Sequence, residues 1–144
     1  MSTTALKVVI DTNIFIAIIG KKSQFRWIFD AIIEGDLILC ISNDILLEYR
    51  EILEQKTNVI VAENVLNFLL VHPFVEKYEI YYDLTLIADD PDDNKFCDCA
   101  FAAGALLVTN DGHFNVLTET GFPQIALMSL SQFSNFIKDN EKSS

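Results

Sequence analysis

Carboxylates follow two of the apolar runs in this 144-residue chain. Lys7–Ile10 is apolar after its first residue and meets Asp11, Thr12 and Asn13. Ala105–Val108 is apolar throughout and meets Thr109, Asn110 and Asp111. Two more acids stand where helices can aim them. Around Glu48, the residues Ile45, Leu46, Tyr49, Ile52 and Leu53 form one apolar stripe at helical spacing. At about 100° per residue, Glu48 lies at the stripe's edge, while Glu51 and Glu54 point farther out. In the segment that opens after Asp92, Asp93 shares a small-sided face with Cys97, Ala100 and Gly104. Asp98 lies off that face by roughly 140°. Asp11, Glu48, Asp93 and Asp111 are therefore predicted to converge, with no Lys or Arg partner evident among them. Carboxylates at close quarters raise each other's pKa. Mg²⁺ or Mn²⁺, a hard cation taking oxygen ligands, resolves the repulsion. Such an ion can generate hydroxide and stabilise the leaving oxygen in phosphodiester hydrolysis.

The elements that must position these acids are legible in the pattern. Short strands are predicted at Lys7–Ile10, Leu37–Ile41, Ala105–Val108 and Gln124–Met128. Helices are predicted at Ile14–Gly20, Gln24–Glu34, Asn43–Gln55, Val59–Val71, from Asp92 to Ala103, and at Ser131–Lys138. Gly35 and Gly104 are read as helix stops, and Ser42 as a helix cap. Tyr78–Leu86 is β-prone but ambiguous. Strands that are apolar throughout and alternate with helices indicate a parallel sheet covered on both faces. In such sheets ligands gather at the carboxyl ends of the strands, so Asp11 and Asp111 are expected on one rim. Each acid also has an ordinary reading. An Asp after a strand can be a cap or an Asx turn, and the DDPDD run at Asp89–Asp93 can be a solvated turn.

Composition bounds the class. There are 21 Asp+Glu against 10 Lys+Arg, for a net charge of -11. A hydrophobic fraction of 51% argues against intrinsic disorder. One domain is expected over residues 1–144, with a core from about 7 to 138. The acidity disfavours binding to nucleic acid or anionic membrane through bulk charge, so any nucleic-acid function must come from a local site. The charge is uneven: residues 73–144 hold 12 acids and 4 bases. Cys40, Cys97 and Cys99 form neither a disulfide framework nor a zinc spacing and are read as buried thiols. With no membrane-length apolar run and no visible secretory signal, a cytoplasmic setting without a membrane partner is expected.

The ordered set of motifs resembles a PIN domain. Asp11-Thr12-Asn13, Glu48, Asp89-Asp90-Pro91-Asp92-Asp93-Asn94-Lys95-Phe96 and Thr109-Asn110-Asp111 carry the likeness, over roughly residues 7–130. The stretch from Asp90 to Phe96 is similar to the branch described as toxins of toxin–antitoxin pairs. The resemblance implies a three-layer α/β/α sandwich with a mainly parallel central sheet. It implies a Mg²⁺- or Mn²⁺-dependent nuclease, usually acting on RNA, with an antitoxin protein as partner. It matches Asp11, Glu48, Asp93 and Asp111 to the acidic metal-binding and catalytic residues, and Thr12, Asn13 and Thr109 to polar neighbours that orient them. A homodimer rests on family likeness alone. The departure is His113, where relatives often carry a further acid; Asp98 is a candidate accessory acid whose helical phase argues against ligation.

Rival readings are fewer. A haloacid-dehalogenase-type phosphatase needs a second Asp at position 13, where this chain has Asn13. A response-regulator receiver wants a Lys after its last strand, and a dinucleotide-binding module wants a Gly-rich first turn. Both features are missing. A PIN-like scaffold that binds protein or RNA without cutting remains the alternative. Lys21, Lys22 and Arg26 form the compact basic cluster and are read as substrate contacts, or as a solvated helix start.

Overall fold

The computed structural model describes residues 5–80, 94–111 and 125–142. Their elements follow in the order β1 (Leu6–Ile10), α1 (Thr12–Ile19), α2 (Arg26–Glu34), β2 (Leu37–Ile41), α3 (Asn43–Lys56) and α4 (Val59–Val71), then β3 (Val75–Lys77), α5 (Asn94–Ala103), β4 (Leu106–Val108), β5 (Leu127–Met128) and α6 (Leu130–Lys142). The strands form one sheet in the order β3-β2-β1-β4-β5, and every neighbouring pair is parallel. The fold is the expected α/β/α arrangement around a parallel sheet.

The central strands read as unbroken apolar runs because both faces are covered. Val8, Val9, Ile10, Leu39, Cys40, Leu107 and Val108 have no solvent exposure. α5 packs across β1, β2 and β4. Its small side chains allow this: Cys97, Cys99 and Ala100 are buried against the sheet. The three cysteines are buried and free, and burial pushes the Cys40 and Cys99 thiols up to about 12. They are inert packing groups, as the sequence suggests.

α3 forms where its stripe and cap predict. Ser42 accepts from the Ile45 amide at 3.3 Å, and Ile45, Tyr49 and Leu53 are fully buried. Tyr49 stacks on Phe15 of α1, with ring centroids 4.1 Å apart and planes 2° from parallel. Its hydroxyl donates to the carbonyl of Ile10, the last residue of β1. An aromatic pair of this kind adds roughly 0.5–1.5 kcal/mol beyond burial.

The edges differ from expectation. β3 lies at residues 75–77, ahead of the β-prone Tyr78–Leu86 stretch, of which residues 81–86 fall outside the described residues. The strand is short, half-exposed and polar at Glu76 and Lys77, so it lacks an apolar signature. The Tyr78 amide extends its pairing with a bond to Ile41 at 2.8 Å. β5 is only two residues long, and the first residue of the expected Gln124–Met128 strand is outside the description. The start expected for α5 at Asp92 lies outside it too.

Gly35 and Gly104 end α2 and α5 in the left-handed region, with φ of 88° and 63°. A Cβ on Gly35 would also lie 2.7 Å from the Phe74 ring, whereas one on Gly104 would meet nothing within 4 Å. Gly104→Ala should therefore lower stability by about 1–2 kcal/mol, the backbone cost of a left-handed residue. Gly35→Ala should cost more, because Phe74 must also move. Urea unfolding of both variants checks the order; equal losses would show that Phe74 yields freely.

Candidate functional site

β1 and β4 are neighbours, with Ile10 in register with Val108. The chain builds outward from β1 to β2 and β3, then returns to place β4 on the other side of β1. The gap above these two strand ends is the switch point where parallel sheets bind ligands. Asp11 and Thr109 are the first residues beyond the two strands.

Asp11 stands at the N-cap position of α1, yet its side chain makes no capping bond. Its amide donates to Val108 O at 3.0 Å, and its Oδ2 accepts from the Thr109 hydroxyl at 2.7 Å. The ordinary reading of Asp11 as a cap is thereby replaced by a side chain turned toward β4. Only 9% of Asp11 is exposed. Burial raises its carboxyl pKa above the ordinary value, the Thr109 hydroxyl and Thr12 amide draw it back, and the Glu48 and Asp111 charges add to the rise. Three of the four predicted acids thus interact electrostatically.

Thr109 links two of them. Its hydroxyl donates to Asp11 and accepts from the Asp111 amide at 3.0 Å. Asn110 turns away and accepts from the Leu130 amide at 3.0 Å, capping α6. Thr12, at the start of α1, donates its hydroxyl to Glu48 Oε2. Asn13 is exposed on the rim. Each threonine singled out in the sequence therefore holds one carboxylate. Asp93, Asp89, Asp90, Asp92 and His113 lie outside the described residues.

The sequence reading needs one correction: a cation does stand among the acids. Lys95 Nζ donates to Glu48 Oε1 at 2.8 Å, with the two side chains 20% and 23% exposed. Helical phase hid it. Lys95 lies off the small-sided face that the sequence pattern marks, and the reach of its four-carbon stem brings the charge across to α3. The run Asp92-Asp93-Asn94-Lys95 was its only signal.

Lys21 and Lys22 are exposed in the turn after α1. Arg26 donates to Asp30 at 3.1 Å and to the Ile19 carbonyl at 2.6 Å, and its guanidinium lies over the Phe29 ring at 4.9 Å. Those contacts tie α2 to the end of α1. Asp98, expected to point away from the sheet face, is buried and lines a cleft with Lys77, Tyr78 and Phe101.

The donors at the rim are all carboxylate and hydroxyl oxygens, which suit a hard divalent cation rather than zinc or copper. Among the described residues no group of three or more His, Cys, Asp or Glu side chains is close enough to hold a metal ion. The described part of the set is Asp11, Glu48 and Asp111, with Glu48 tied to Lys95.

A PIN domain family model matches residues 7–113. The chain belongs to the PIN domain family. Members of this family are generally nucleases. Solved structures with the same fold include VapBC2 from Rickettsia felis bound to a DNA fragment from its promoter, at 18% identity and a TM-score of 0.60. That match covers 86% of this chain and 98% of the other. DNA-bound VapBC from Salmonella typhimurium matches at 20% identity and a TM-score of 0.57, with the same coverage of 86% and 98%. FitAcB from Neisseria gonorrhoeae matches at 19% identity and 0.51, covering 84% of this PIN domain and 96% of its own chain. At these identities the likeness concerns the fold. No curated protein matches the chain significantly. Among the described residues no helix is long and apolar enough to cross a membrane.

A raised carboxyl pKa means that ionised Asp11 is less favourable in the folded chain than in the unfolded one. The fold is then most favoured below the ordinary carboxylate pKa and loses stability as pH rises through the raised value. Asp11→Asn should therefore raise the Tm of the metal-free protein at neutral pH, since the amide oxygen still accepts from Thr109. Thr109→Val should lower stability by about 1–3 kcal/mol, because it leaves a buried acceptor without its donor. Thermal melts in a chelator check both; a lower Tm for Asp11→Asn would show that the charge is already compensated.

Proposed function

We propose that this PIN domain is a metal-dependent ribonuclease, the toxin of a toxin–antitoxin pair, acting in the cytoplasm. The observation that carries this reading is Asp11: a buried carboxylate that makes no capping bond, accepts from the neutral Thr109 hydroxyl, and feels the charges of Glu48 and Asp111 at the switch point of a parallel sheet. Burying a charge in that way is costly unless it is matched by an opposite one.

Asp11, Glu48, Asp93 and Asp111 would hold Mg²⁺ or Mn²⁺. When bound, such an ion supplies a nucleophilic hydroxide at neutral pH and offsets charge on a phosphodiester. The chain's own residues do the positioning. Thr109 fixes the rotamer of Asp11 and the start of the Asp111 segment, and Thr12 fixes Glu48. Hydrogen bonds of this kind set the direction in which a carboxylate offers its remaining lone pairs. Asn13, exposed beside them, is available to a water or a phosphate.

The antitoxin reading is supported by the family branch and by the VapBC and FitAcB neighbours. It is also supported by the apolar side chains left in solvent on α3 and α4: Leu47, Val59, Ile60, Leu70 and Val71 are all more than half exposed. Exposed apolar surface of this extent commonly marks a protein interface.

Purified protein should cleave single-stranded RNA with Mn²⁺, and Asp11→Asn and Asp93→Asn should each abolish cleavage without unfolding the chain. Mn²⁺ should raise the Tm of the parent protein but not of Asp11→Asn, since a ligand confined to the native state stabilises it. RNA binding without cleavage by the parent, unchanged in both variants, would favour the non-catalytic binding module instead.

A further inference from the structure

Lys95 enters α5 at the N-terminal end of its described residues, and the described first turn holds no acid. The aligned peptide dipoles make this end partly positive, which disfavours a cation there. Its ammonium is placed instead on α3, donating to Glu48 Oε1 at 2.8 Å. About a fifth of each side chain is exposed, so the pair is screened less than an ordinary surface bridge. The other Glu48 oxygen accepts from Thr12. Both oxygens of this predicted metal ligand are therefore engaged by protein donors, one of them a full positive charge.

We propose that Lys95 is the resident counter-ion of Glu48, that a divalent cation must displace it, and that the displaced ammonium contacts RNA phosphate. The proposal rests on the ribonuclease reading above. An ammonium and a metal ion compete for the same carboxylate oxygen. The four proposed ligands together with Lys95 carry a formal charge of -3, which one divalent cation would reduce to -1. Once released, Lys95 is repelled by both the ion and the helix terminus, yet its backbone keeps it beside the site. A phosphate there is its natural acceptor, and lysine binds phosphate as a mobile point charge. The bond would thus compensate Glu48 in the empty site and add a positive contact in the loaded one.

The rival role is a clamp that fastens α5 to α3. The two roles predict different metal affinities. Mn²⁺ is titrated by calorimetry into metal-free parent protein, Lys95→Met, Lys95→Gln and Lys95→Arg, and RNA cleavage is measured in parallel. Lys95→Met and Lys95→Gln should bind Mn²⁺ about tenfold more tightly, while Lys95→Arg stays near the parent. KM for RNA should rise about tenfold in the two neutral variants and much less in Lys95→Arg. Glutamine keeps a donor for Glu48, so that variant preserves the clamp if methionine does not fold. Mn²⁺ affinity no higher in either folded neutral variant would overturn the counter-ion role. Tighter Mn²⁺ binding with an unchanged KM would overturn the phosphate contact. A parent protein that binds no Mn²⁺ defeats the ribonuclease reading and this inference together. A parent that binds Mn²⁺ while the neutral variants match it defeats the inference alone.

Discussion

Strands β1 and β4 end together, and the rest of the site depends on that register. Ile10 pairs with Val108, and the Asp11 amide carries the ladder one bond past the strand by donating to Val108 O at 3.0 Å. Asp11 and Thr109 therefore leave the sheet side by side, close enough for a 2.7 Å hydrogen bond between side chains 98 residues apart in sequence. A slip of one residue would send the Asp11 side chain to the opposite face of the sheet. Val8–Ile10 and Leu106–Val108 are buried, and the bond from the Asp11 amide to Val108 O continues the observed register past the strand end.

The same strand end also locates Glu48. Tyr49 is fully buried, stacked on Phe15, and its hydroxyl holds the carbonyl of Ile10. Glu48 is the next residue back along α3, so anchoring Tyr49 sets where Glu48 can reach. Thr12 then takes one of its oxygens. Packing and backbone pairing thus bring like charges together, and hydrogen bonds relieve only part of the repulsion. Asp11 remains above the ordinary carboxylate pKa even with Thr109 and Thr12 drawing it down. A fold optimised for stability alone would place an amide there. Retaining a carboxylate is the stability–function conflict expected where a ligand supplies the missing charge.

Much of this was legible before the structure. Buried parallel strands are unbroken apolar runs, so β2 was predicted at its observed limits and β1 and β4 within one residue at each end. α3, with its stripe and Ser42 cap, and α4, stopping before Pro73, were equally plain. The rim position of Asp11 followed from strand order alone. What escaped lay at edges and in long side chains. β3 is a half-exposed edge strand whose polar residues carry no burial signal. Arg26 stands out in sequence only as one of a cluster of bases, whereas its bond to the Ile19 carbonyl depends on how α1 meets α2. Lys95 was missed for the converse reason. Helical phase describes where a side chain starts, and a lysine ends some 6 Å farther on, where tertiary neighbours decide its partner.

The net charge of -11 now has a physical interpretation at the site. A strongly acidic chain has no long-range attraction for RNA, and its one compact basic cluster is partly committed to joining α1 and α2. Affinity must then be generated locally, over distances shorter than the roughly 8 Å screening length of physiological salt. Two sources of positive charge can meet that condition at this rim: a bound divalent ion, and Lys95. Under the proposal above they are not independent, because both would be drawn to the same Glu48 oxygen. On that proposal the arrival of one frees the other, so metal binding would add the ion's own charge and also make the Lys95 ammonium available to a phosphate. An acidic protein organised in this way would discriminate strongly between its metal-free and metal-bound states in binding RNA, and far less so if Lys95 were replaced by a neutral residue.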